Sequence, residues 1–197
     1  GAAREAGLYG MPAIASSLTS FDDEGMQKAV DATVQLIERA IEILPMVPEN
    51  LRRPSVDISN PHVSRWPIIE DKPAWSDNPI EALRTAFRNG ELMLNINTPP
   101  TWNGEFQTTR LGMRWYRDAI SFAENADNEN TATFTIGAAS IDHTPVESSD
   151  CDAVMMDKSS ISCLPTWPQT HPLAIDDRLL TWCLQSGEEN YPIWLKI

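Results

Sequence analysis

Three stretches of the sequence predict an α/β fold built on a parallel sheet. Residues 1–10 read as a short helix closed by Gly10, and residues 11–18 as a buried strand with proline only near its start. Met26, Val30, Val34, Ile37, Ile41 and Leu44 recur at three- and four-residue steps, which predicts an amphipathic helix packed on a sheet. Residues 92–97 make a compact apolar strand. A helix that feeds a buried strand crosses over from an earlier parallel strand. Residues 1–18 are therefore expected to be the second half of a βαβ unit whose first strand lies upstream. Ligands of such sheets sit at the carboxyl ends of strands, so part of the chemistry is expected upstream of Gly1 as well.

The elements follow in order. The helix over residues 22–44 takes its cap from Thr19 or Ser20, sets Asp22, Asp23 and Glu24 at its positive end, and stops at Pro45. Prolines at 45, 48, 54, 61, 67, 73 and 79 exclude a helix or central strand over residues 45–79. With Trp66 and Trp75 inside it, that stretch reads as an ordered surface excursion. Asp77 or Asn78 before Pro79 starts a second helix over residues 80–89, ended by Gly90. Pro99 and Pro100 stop the strand at 92–97, and Asn103-Gly104 marks a turn. Residues 106–111 start a strand that residues 113–117 continue past a bulge at Gly112. Phe122 and residues 131–136 predict two arms of a long hairpin, with the polar stretch 124–130 as its tip. Residues 152–158 are helix-like, residues 160–164 form a strand closed by Pro165, residues 176–185 a terminal helix, and residues 191–195 a loose tail.

A formal net charge of −13 speaks against nucleic acid as a partner, because phosphate contacts require clustered Lys and Arg. The best local basic group is Arg110, Arg114 and Arg117. No apolar run has the length of a membrane span and no secretory signal is visible, so no membrane partner is expected and the location is expected to be cytoplasmic. Cys151, Cys163 and Cys183 are odd in number and lack C-x-x-C spacing, which predicts reduced thiols rather than a disulfide framework or a zinc site.

Arg110, Arg114 and Arg117 are the candidates to line a substrate cleft, since guanidinium forks suit phosphate groups. The competing reading is solvated or interface arginines on a hairpin stem. Strand alternation puts Arg110 and Arg114 on one face only if no bulge intervenes at Gly112. His62, His143 and His171 adjoin or closely precede prolines and sit in loops. Asp142-His143 with Ser148 or Ser149 sketches a hydrolase triad, yet no G-x-S-x-G elbow accompanies it, and chance is the better account. Cys151 and Cys163 lack a paired histidine and read as small core residues. Trp102, Trp115, Trp167, Trp182 and Trp194 read as core or interface anchors rather than a base-stacking platform.

Three motifs stand in a telling order. Gly10-Met11-Pro12-Ala13-Ile14-Ala15-Ser16-Ser17 fits a G-x-P-A-I-A-x-S pattern. Leu94-Asn95-Ile96-Asn97-Thr98-Pro99 fits L-N-V-N-x-P, and Thr108-Thr109-Arg110-Leu111-Gly112-Met113-Arg114-Trp115-Tyr116 fits V-T-R-L-G-x-R-x-Y. Asp150-Cys151-Asp152-Ala153 and Ser160-Ile161-Ser162-Cys163-Leu164-Pro165 partly echo a later D-x-x-A…V-S-V-T-P-L stretch. In these motifs the chain resembles the SurE family of metal-dependent nucleotidases over roughly residues 1–165, with residues 45–79 as an insertion.

The resemblance implies a Rossmann-like three-layer core lacking its N-terminal strands, a protruding β-hairpin region over 106–136, and C-terminal elements that exchange between subunits. Residues 166–197 then form a C-terminal helix and tail. It also implies hydrolysis of nucleoside monophosphates with Mg²⁺ or Mn²⁺, held by an N-D-D-G motif, a serine and an S-G-x-N-x-G loop. None of these motifs occurs in residues 1–197, nor does the family's S-G-T stretch. No catalytic residue and no metal ligand therefore carries over, and no metal is expected at a catalytic site of this chain. Asp22-Asp23 superficially resembles the paired aspartates, but acids at a helix N-terminus account for both charges; Asp176-Asp177 reads the same way. The expectation is a truncated SurE-like phosphohydrolase, inactive by itself. The alternative is a non-catalytic interaction module that self-associates as a dimer or larger, by pairing or exchange of elements.

Overall fold

A computed structural model describes residues 1–45, 74–117, 120–123, 133–136 and 140–195. The hairpin tip at 124–130, His62 and most of the 45–79 excursion lie outside the described residues, as does the side chain of Arg117.

Helix α1 (Ala2–Leu8) turns through Gly10, at φ 79°, into β1 (Ile14–Leu18). β1 pairs in parallel with β2 (Leu92–Thr98), from Ile14 opposite Leu94 to Leu18 opposite Thr98. The connection between them carries α2 (Met26–Glu42) and α3 (Pro79–Arg88). β2 pairs antiparallel with β8 (Ser159–Pro165), and β8 pairs in parallel with β3 (Phe106–Thr109). The sheet order is β1-β2-β8-β3. Two ribbons stand apart from it: β4 (Met113–Arg117) with β7 (Ser140–Thr144), and β5 (Ile120–Ala123) with β6 (Thr133–Ile136). Helix α4 (Asp150–Met155) leads into β8, and α5 (Asp177–Trp182) follows it. Helices on a mixed sheet make this a Rossmann-like α/β fold.

The alternation of β2 explains the core. Leu92, Leu94, Ile96 and Thr98 are buried while Met93, Asn95 and Asn97 are half-buried. Leu36 of α2, Leu83 and Phe87 of α3, and Ile161 of β8 join them in one cluster. Each such fully buried side chain contributes about 1.5–3 kcal/mol. Asn78 caps α3 by accepting from Ile80 N at 2.9 Å, and Pro79 occupies a first-turn position where no amide donor is needed.

Five expectations are corrected. First, α2 begins at Met26, with Gly25 at φ 84° as its cap. Asp22, Asp23 and Glu24 lie in the turn before it, where Asp22 N donates to Ser20 Oγ at 3.1 Å. Second, α2 packs on the sheet through Ala29, Ala32, Leu36 and Ala40, whereas Met26, Val30, Val34, Ile37 and Ile41 are exposed. Small alanines let the helix approach the sheet closely, and the larger side chains are rotated to its flank. Third, β3 and β4 are not one bulged strand; the chain leaves the main sheet at Arg110 and enters the β4–β7 ribbon. Fourth, the stretch at 191–195 is no loose tail. Tyr191, Trp194 and Leu195 are buried in the main core, and Trp194 meets Phe87 at 5.5 Å between ring centroids. β1 also differs from a fully buried strand, being half-exposed at the sheet's edge among the described residues.

The two expected arms do pair: β5 runs antiparallel to β6, with Phe122 opposite Phe134.

Candidate functional site: a cleft beyond the ends of β1 and β2

The parallel strands β1 and β2 end side by side, and Thr19 N donates to Thr98 O at 3.0 Å just past them. Beyond these ends lies a cleft of about 470 Å³. The β1–α2 loop, the end of β2, the β3–β4 link and the start of α4 enclose it. This is the place where open α/β sheets bind ligands. Ser17, Ser20 and Asn97 give it neutral polar groups, while Arg114 and Asp150 give it charge.

Asp150 organises the far wall. Its Oδ1 accepts from Gly112 N at 2.7 Å and from Cys151 N at 2.8 Å, while Asn97 Nδ2 approaches its Oδ2 at 3.4 Å. Arg110 N donates to Ser148 O at 3.0 Å, and Asp150 N donates to Arg110 O at 2.9 Å. These bonds stitch the β3–β4 link to the start of α4. Ser149 caps that helix by accepting from Asp152 N at 3.1 Å. Gly112 fits here because it lacks a side chain: a Cβ would lie 2.9 Å from Cys151 Sγ and 3.0 Å from Asp150 Oδ1.

Arg114 reaches the cleft from β4. Its Nε is buried and has no hydrogen-bond partner among the described residues. Burial pushes the Cys151 thiol above its usual range, and the Asp150 charge pushes the same way while Arg114 pulls against them. The thiol stays protonated, which makes Cys151 a poor nucleophile. Arg110 is exposed and is not among the residues lining the cleft. The three arginines thus divide: Arg114 lines the cleft, Arg110 faces solvent, and the Arg117 side chain lies outside the described residues.

The other candidates are accounted for locally. His143 bonds Asp152 at 2.7 Å, and Ser149 is buried in its capping role, so no triad forms with Asp142. The hydrogen bond from His143 is the main cause holding the Asp152 carboxyl below its ordinary value. His171 stacks on Trp167 at 4.5 Å. Asp176 caps α5 by accepting from Arg178 N at 3.0 Å. Asp22 and Asp23 are exposed. Asp150 and Asn97, which shape the cleft, were legible only as members of motifs.

The chain matches the family model of the survival protein SurE over residues 1–118 of its 197. The chain belongs to the SurE family. No curated protein matches it. The SurE match runs from α1 to the end of β4, so it takes in Ser17, Asn97 and Arg114 of the cleft. SurE membership is consistent with nucleotidase or phosphatase chemistry, in a family that generally depends on divalent cations. The residues on hand do not fit such a cation. Among the described residues no three His, Cys, Asp or Glu side chains gather as a metal site. Asp150 is the single carboxylate among the described lining residues, and its Oδ1 already accepts two backbone bonds, whereas Mg²⁺ and its kin require several oxygen ligands. No described helix is long and apolar enough to cross a membrane.

Proposed function

We propose that this chain forms one wall of the substrate cleft of a SurE phosphohydrolase acting on nucleoside monophosphates, and that it binds phosphate without hydrolysing it. The observation that carries the reading is Arg114, whose buried Nε has no partner among the described residues, in a cleft at the carboxyl ends of two parallel strands. A guanidinium whose Nε–H has no partner among the described residues in such a place suits an anion with several acceptor oxygens. The N-D-D-G and S-G-x-N-x-G motifs that bind the family's metal are not among the 197 residues.

Titration calorimetry with inorganic phosphate tests the binding. Arg114→Ala is expected to weaken it about 10- to 100-fold, the worth of a charge-assisted hydrogen bond. Unchanged affinity overturns the phosphate reading. The chain is further expected to release no phosphate from nucleoside monophosphates with Mg²⁺ or Mn²⁺. Robust turnover lost on changing Asp22 and Asp23 to Ala would sink that part.

A second reading, self-association, is favoured by a different surface. Ala13 O accepts from Leu94 N and Thr19 N donates to Thr98 O, so the odd-numbered residues of this stretch face β2. Ile14, Ser16 and Leu18 then direct their backbone groups outward, to an edge that no described strand pairs. The exposed apolar flank of α2 runs beside that edge.

A further inference from the structure

Two of the three cysteines share one part of the core. Cys163 stands opposite Leu94 in the antiparallel pairing of β8 with β2, so its side chain lies on the same face of the sheet as that buried leucine. Leu179 and Cys183 are both buried, and Cys183 N donates to Leu179 O at 3.1 Å. That helical spacing sets their side chains on one face of α5. Both faces enter one cluster, where Cys183 is buried and Cys163 packs against it half-buried. There the Cys183 thiol hydrogen-bonds that of Cys163, and this bond, with burial, holds it above its ordinary value. Cys151 borders the cleft and stands outside this cluster.

Cys183 is also the root of the turn over residues 185–193. Past it, Ile193 N donates to Gln185 O at 2.9 Å and Gly187 N to Tyr191 O at 2.7 Å, and this turn leads Tyr191 and Trp194 into the core. A covalent bond from Cys183 to β8 fastens both α5 and the turn to the main sheet. Two thiols already in contact need only an oxidant to make that bond. We infer that Cys163 and Cys183 are a redox modification site, a reversible dithiol–disulfide pair oxidised by a hydroperoxide. Cys163, the half-buried partner, is the sulfur the peroxide reaches. Hydrogen peroxide converts its thiol to a sulfenic acid and leaves one water. The Cys183 sulfur then attacks that sulfur, and the displaced hydroxyl leaves with the Cys183 proton as a second water. Two thiols and one peroxide thus give one disulfide and two waters. The firmly held proton of Cys183 makes the second step the slow one.

The test treats the whole folded chain with hydrogen peroxide, then alkylates the remaining thiols in denaturant and weighs the product. The chain is expected to lose the mass of two hydrogens and to keep one alkylatable thiol, that of Cys151. Proteolytic mapping should join the Cys163 peptide to the Cys183 peptide, and dithiothreitol should separate them and restore all three thiols. The urea midpoint should rise on oxidation and return on reduction, since the bond closes the chain between β8 and α5. Cys163→Ser should abolish both the mass loss and the rise. Sulfinic or sulfonic acid at Cys163 with Cys183 still free to alkylate overturns the pairing. So does a link that runs to Cys151, or one that forms only when the chain is oxidised in urea.

Discussion

At Gly112 a single absent carbon decides where the chain goes after β3. The backbone there passes against α4, donates to Asp150 Oδ1 and leaves the main sheet for the ribbon. Gly112→Ala is expected to cost about 1–3 kcal/mol, because the new methyl overpacks against Cys151 and Asp150. It should also weaken phosphate binding, since Arg114 lies two residues on. Urea denaturation and calorimetry check both; a variant as stable as the wild type would show that α4 yields freely. The sequence marks Gly112 as a break in a strand but not what it touches. Its partner Asp150 is 38 residues away, and no local pattern encodes a contact of that span. The same limit hid Asn97, which read only as a motif member until two strand ends and a helix start met around it.

Elements were legible where local chemistry alone fixes them. The Asn78–Pro79 start of α3, the start of α5 at Asp176 and the strands around Phe122 and Phe134 all follow from capping and strand signals. Helix α2 was legible as a helix and misread as to its face. Its hydrophobic periodicity has two sectors, and the larger side chains occupy the exposed flank, not the face that packs on the sheet. Alanine scores weakly on any hydropathy scale yet packs closest. Ribbon and helix are also tied by charge: His143 of β7 bonds Asp152 of α4, and Val146 N donates to the same carboxylate at 3.2 Å. These bonds hold the Asp152 carboxyl below its ordinary value of 3.8. A depressed folded-state value makes the contribution fully present above the unfolded value and lost as pH falls through the folded one. Wild-type stability should therefore fall below about pH 3.8, and part of that acid slope should vanish in Asp152→Asn. Urea midpoints taken on either side of that pH decide it, and identical slopes in the two proteins would refute the tie.

At the scale of the molecule, the described residues close one end of the sheet and leave the other open. Near β3, Trp102 meets Phe106 edge-on at 5.2 Å, Phe106 meets Tyr191 at a tilt at 4.5 Å, and the Arg39 guanidinium lies 4.7 Å above the Tyr191 ring. Arg84 Nε donates to Trp194 O at 2.9 Å, fixing the last turn onto α3. Residues 191–195 carry no period to reveal this, since the rings that bury Tyr191 and Trp194, Phe106 and Phe87, stand more than 80 residues earlier in the chain. At the opposite end, β1 shows an unpaired edge among the described residues, and Ile41 of α2 beside it is 59% exposed. At about 100° per residue, Met26, Val30, Val34, Ile37 and Ile41 fall on the flank of α2 away from Arg39 and hence toward β1. Thr33, at the border of that flank, reaches Ser16 of β1 at 2.6 Å. An apolar stripe continuous with an open strand edge suits a second copy, β1 pairing with β1 about Ser16 while the stripes of α2 meet. The chain's −13 charge opposes that encounter, and Asp31, Glu38 and Glu42 lie on the same helix. Salt screens such repulsion while leaving the apolar contact intact. Light scattering should therefore show assembly that strengthens as salt is raised, and Val34→Asp should shift it toward monomer with the urea midpoint unchanged. A wild-type chain that remains monomeric at every salt concentration would leave this edge to some other occupant.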